Sequence, residues 1–167
     1  MLDGPNNLGA MFYDRNDLPR AEAHFLETIR LKPDYAKAHN NLGVIRFLQG
    51  RTREAIEEYR EALRADPRYA EAQSNLAAAL AKLGMTEEAI THYTEALRLA
   101  PDLGVAHRLL GMLLASTGHL DDAIAHFHAA LRADPGDEEA RQSLEHAVAR
   151  KAALAVSHSP RVADTPR

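Results

Sequence analysis

Residues 36–69 read AKAHNNLGVIRFLQGRTREAIEEYREALRADPRY, and their key positions return every 34 residues along the chain. Pro67 has counterparts at Pro33, Pro101 and Pro135. Gly50 returns as Gly84 and Gly118, with Asn16 one period earlier. Leu42 is echoed by Leu8, Leu76 and Leu110, Ala55 by Ala21, Ala89 and Ala123, and Tyr59 by Phe25, Tyr93 and Phe127. A fixed period of this length is the mark of stacked supersecondary units rather than one globular core.

Each recurring residue has a physical task. A tight turn after a helix needs a left-handed residue, which Gly supplies without steric cost and Asn tolerates. Thr52 and Thr86 follow where an N-cap belongs, and Pro19 sits near the start of a helix. Asp66-Pro67, Ala100-Pro101 and Asp134-Pro135 close the second helix of a unit, because Pro disfavours helix in the residue before it. Ala55, Ile56, Tyr59, Ala62 and Leu63 fall on one helical face. Gly9, Gly43, Ala77 and Gly111 follow the anchor leucines, and their lack of bulk lets a partner helix insert its aromatic ring.

The order Leu-Gly, a large residue, then Ala, an aromatic, Ala and Pro resembles the tetratricopeptide repeat signature. The resemblance divides the chain into repeats at 2–35, 36–69, 70–103 and 104–137, a capping helix at 138–156 and a disordered tail at 157–167. It implies an all-α fold, a right-handed superhelical solenoid of antiparallel helix pairs. The family's opening Trp is absent, its slot holding Pro5, His39, Gln73 and His107. Glu22 stands where later repeats carry Ile56, Ile90 and Ile124, a charge that costs little in a terminal repeat. In the capping helix, Asp137 is the expected N-cap; Ala140, Leu144, Ala147, Val148 and Leu154 are expected to face the array, and His146 and Arg150 to face water.

Composition narrows the function. Net charge is −4, with 24 acidic and 20 basic residues and no basic cluster, so neither nucleic acid nor an anionic membrane is an expected partner. The sequence has no Cys, and no H-E-x-x-H, phosphate loop or G-x-S-x-G stands in it to carry chemistry. We therefore expect no enzyme activity, no cofactor and no metal. His24, His92 and His126 share one repeat position, which reads as a solvent-facing convex row. The first ten residues are polar and carry Gly4 and Pro5, and the longest apolar run, 109–115, is short, so a cytoplasmic location is expected.

By the resemblance, the first helix of each unit lines a concave groove that binds a protein or peptide. Its groove-facing positions hold Asn6, Asn40, Ser74 and Arg108, then Asn7, Asn41 and Asn75. Beside them stand Val44, Ala78 and Met112, the aromatics Tyr13 and Phe47, and the charged Lys37, Glu71 and Lys82. An amide carries both donor and acceptor, so a row of them suits the backbone of an extended peptide. The family's two-carboxylate clamp for chaperone tails is not expected, since only Asn41 of its five positions fits. Two alternatives stand beside a free-standing scaffold. One is a substrate-recognition fragment of a larger enzyme, such as a protein glycosyltransferase. The other is a homo-oligomer that associates through an uncapped N-terminal face exposing Leu8 and Phe12.

Overall fold

The computed structural model describes residues 3–157. Among them the chain forms α1 (Asp3–Asp14), α2 (Leu18–Leu31), α3 (Ala36–Leu48), α4 (Thr52–Ala65), α5 (Ala70–Lys82), α6 (Thr86–Leu99), α7 (Gly104–Ser116), α8 (Leu120–Ala133) and α9 (Glu138–Ser157). Helix starts repeat at 34-residue intervals from α2 to α8 and from α3 to α7. Apart from Ser157, the tail expected to be disordered lies outside the described residues.

The turn inside each helix pair is built as its sequence demands. Asn16, Gly50, Gly84 and Gly118 have φ of 59°, 79°, 78° and 89°. The next N–H then reaches back to the helix it leaves: Asp17 to Phe12 at 2.8 Å, Arg51 to Arg46 at 2.8 Å, Met85 to Leu80 at 3.0 Å and His119 to Leu114 at 2.9 Å. The turn is so tight that Thr52 and Thr86 are already the first helical residues. The N-caps are instead Arg51 and Met85, and neither makes a side-chain capping bond. Asp17 and Asp137 do cap, accepting from the N–H of Arg20 (3.3 Å) and Ala140 (2.9 Å).

Packing within a pair depends on the small residues after the anchor leucines. A Cβ on Gly9, Gly43 or Gly111 would lie 2.6, 2.5 or 2.7 Å from the ring of Phe25, Tyr59 or Phe127. All four ring positions, with Tyr93, are buried. Ala77 shows that repeat three accommodates a methyl against its own ring, so that pair packs differently in detail.

Between pairs the contacts are asymmetric. α1 touches α3, α3 touches α5, α5 touches α7 and α7 touches α9, whereas the backbones of successive even helices stay further apart. The odd helices therefore form the inner face of a curved helical solenoid. Ala147 of α9 is buried against Leu120 and Phe127, and Ala140 is fully buried, so α9 takes the place of the first helix of another unit. Val148 and Leu154 are exposed, contrary to the expectation that they face the array. Leu114, one period before Val148, is shielded by α8, and no described helix follows α9 to do the same.

The histidine row also differs from expectation. These residues point across their own helix pair and not to the convex solvent. His24 stacks on Phe12 with centroids 5.3 Å apart, so Phe12 is half-buried rather than laid open at the N-terminal face. His92 bonds Gln73 at 2.7 Å, and His126 Nδ1 meets His107 Nδ1 at 2.9 Å. Glu58 takes the same place in repeat two, where it accepts from Arg46 at 2.7 Å and meets His39 at 2.6 Å. In repeats two to four the missing Trp is thus replaced by a polar contact across the pair. Its hydrogen bond with Glu58 raises the pKa of His39, while burial lowers those of His92 and His126. Glu22 is also committed: it accepts from Arg51 at 2.9 Å and Gln49 at 3.1 Å, joining repeats one and two.

Candidate binding groove

The inner wall carries the residues singled out by position, and the structure sorts them into two groups. Asn6, Asn40 and Ser74 are buried, so they do not present themselves to a guest. Asn40 accepts from Asn75 Nδ2 at 2.9 Å and donates a long bond to Tyr69 Oη at 3.5 Å. Asn41 Nδ2 donates to Asn6 Oδ1, also at 3.5 Å. The amides therefore form rungs between successive first helices, satisfying groups that would otherwise be buried without partners.

Arg108 is likewise engaged. It bonds Asp137 at 2.9 Å and also pairs with Glu139, tying α7 to the start of α9. That corrects its expected role as a free partner for ligand carboxylates. Lys82 lies over the Phe47 ring, 4.6 Å from its centroid. Lys37, Glu71, Asn7 and Met112 are exposed on the wall, and Ala78 is half-buried.

The second group converges. Tyr13, Asn41 and Val44 line a cavity of about 60 Å³ with Ala10, and the edge of Phe25 forms its floor. This recess lies at the junction of α1 and α3, with one amide beside an otherwise apolar lining. Each half-buried Asn gives its N–H₂ to a rung, which leaves Oδ1 of Asn41 and Asn75 as the acceptor for a visiting N–H. Sequence spacing picked the three residues but gave no signal for the Phe25 floor, which depends on how the second helix seats.

A second recess, of about 190 Å³, lies at the junction of α7 and α9. Its lining is the first recess moved three periods along: Met112 for Ala10, Ala115 for Tyr13, Phe127 for Phe25, Ser143 for Asn41 and His146 for Val44. Ala115 and Ser143 are smaller than the residues they replace and Met112 and His146 larger, and Leu120, Ala147 and Arg150 complete the lining of the larger space. Among the described residues no group of three or more His, Cys, Asp or Glu is placed to hold a metal ion. No described helix is long and apolar enough to cross a membrane.

The tetratricopeptide repeat family model matches residues 8–70, 49–104 and 79–138. No curated protein matches the sequence. Among solved structures the chain is similar to MamA, with 24% identity, TM-score 0.75 and coverage of 87% of this chain and 85% of that one. It is similar to YrrB, described as a TPR protein with an unusual peptide-binding site, with 27% identity, TM-score 0.71 and coverage of 89% and 76%. It is also similar to the first TPR of Spaghetti (RPAP3) bound to the HSP90 peptide SRMEEVD, with 25% identity, TM-score 0.68 and coverage of 70% and 93%.

Proposed function

Starting from a chain that belongs to the tetratricopeptide repeat family, we propose that it is a non-catalytic interaction scaffold whose inner wall binds a peptide segment of a partner protein. The observation that carries this reading is the recess where Tyr13, Asn41 and Val44 meet over Phe25. A short aliphatic side chain fills the apolar part, and the adjacent backbone N–H donates to Asn41 Oδ1. Repetition at Asn75 extends the same grip by one unit. Two relatives of known structure are described as peptide binders, which supports the reading.

Affinity is expected in the micromolar range, since the wall is open and only part of the guest is desolvated. The test is a peptide selected on the intact protein from a display library and titrated calorimetrically. Tyr13→Ala combined with Val44→Ser weakens it by at least about 1 kcal/mol. Unchanged affinity in that pair, with folding intact, refutes the assignment. Asn41→Ala with Asn75→Ala weakens it by about 1–2 kcal/mol, although Asn75 also braces Asn40, so melting is measured alongside.

One observation favours a second reading, self-association. Leu8 and Met11 are exposed, whereas Leu42 and Ile45 at the same repeat positions are fully buried by the preceding helix pair. Two such faces could cover each other. A monomer by light scattering at high concentration removes this reading.

A further inference from the structure

We propose that the recess between α7 and α9 is a binding pocket for an aliphatic side chain with a carboxylate beside it, as at the C-terminal leucine of a peptide. The proposal rests on the reading that the inner wall binds peptides, and adds which chemistry this end of the wall selects.

The floor is apolar, formed by Leu120, Phe127 and Ala147, and all three are buried. Its volume of about 190 Å³ is roughly three times that of the α1–α3 recess. The rim carries one fixed cation, Arg150, with His146 beside it, and no Asp or Glu lines the recess. In the α1–α3 recess the lining holds no basic residue, so the two ends of one lattice differ in charge.

Arg150 is the informative residue. Its Nη1 donates to the carbonyl of Ala115 at 2.7 Å, which holds the guanidinium across the mouth of the recess. The other two Lys and Arg residues of α9 meet carboxylates, Arg141 that of Glu138 and Lys151 that of Asp121. Arg108 on α7 is neutralised by Asp137. Arg150 is thus positioned by a neutral group, and its remaining donors form a fork suited to a carboxylate. A carboxylate on the residue whose side chain fills the floor would stand next to that fork. The interaction is one of charge complementarity at an apolar pocket, and added salt weakens it.

The test uses N-acetyl-leucine, with N-acetyl-leucinamide as its uncharged twin, in a ¹⁵N-HSQC titration of the intact protein. Saturable shifts are expected at the amides of Ala115, Ala147 and Arg150, with an affinity of about 1–10 mM, as suits a ligand of about a dozen heavy atoms. The uncharged twin and the Arg150→Gln variant each bind at least fivefold more weakly, while Arg150→Lys retains a preference for the acid. Equal binding of acid and amide overturns the proposal, as does the absence of saturable shifts at this junction up to 20 mM. The readout is confined to α7–α9. Failure at the Tyr13 recess therefore leaves it unaffected, and failure here leaves that recess to its own titration.

Discussion

Leu8 and Leu76 occupy the same position of their repeats, yet Leu8 is 43% exposed and Leu76 only 2%. The difference is the neighbour: Leu76 lies in one cluster with Ile56 and Tyr59 of the preceding pair. Truncating Leu76 to Ala removes buried methyl groups and leaves a cavity that rigid helices cannot close, costing about 2–5 kcal/mol. At Leu8 water enters the vacated space and only part of the side chain was covered, so the cost is about 1 kcal/mol. For a chain of this size each kcal/mol moves the melting temperature by about 2–4 °C. Leu76→Ala should therefore lower it by about 4–20 °C and Leu8→Ala by about 2–4 °C. Circular dichroism gives the melting curves, and hydrogen exchange per helix handles unfolding that is not all-or-none. Equal losses, or a greater loss at Leu8, would show that stability does not come from neighbour-to-neighbour burial.

Asn40→Ala should cost about 1–3 kcal/mol, because it strands the donor of Asn75 in a half-buried site; Asn7→Ala, on the exposed wall, should leave chemical denaturation unchanged. Gly84→Ala at φ +78° should cost about 1–2 kcal/mol, and Gly84→Asn less, as Asn16 already adopts this conformation; thermal melts compare the two. Burial holds His92 and His126 below the ordinary histidine pKa, so their neutral forms belong to the fold. The stability they contribute is complete above about pH 6.5 and is lost as pH falls through the lowered folded values. His39 has the opposite sign: its contribution is complete below about pH 6.5 and is lost as pH rises through its raised folded value. Hydrogen exchange corrected for intrinsic rates should therefore show α5–α8 losing protection relative to α3–α4 between pH 7 and 5, and His126→Gln should flatten that loss for α7 and α8.

The fold was legible because its punctuation is local chemistry. Gly50, Gly84 and Gly118 must turn left, Pro67 and Pro101 must end helices, and Gly43 must admit Tyr59, whatever surrounds them. What periodicity could not give was direction. His24, His92 and His126 are equivalent by spacing, but spacing does not say whether the shared face looks outward or across the pair. The amides were hidden for a related reason. Asn75 meets Asn40, and Asn41 meets Asn6, one residue more than a period away, so the partner is set by the offset between neighbouring helices. Arg108 looked available because its counter-charges are far off in sequence: Asp137 is the last residue of its repeat and Glu139 lies in the capping helix.

The amide rungs all lie along one edge of the array, while the backbones of the even helices on the other edge stand further apart. Straightening the arc pulls on those rungs and on the contacts between inner helices, whereas on the outer margin the Glu22–Arg51 pair links α2 to the start of α4. The array should therefore resist the two senses of bending unequally, with the carboxamide rungs adding to the helix packing that holds its inner edge. A guest that lies along the inside meets a surface whose radius is already set before it arrives.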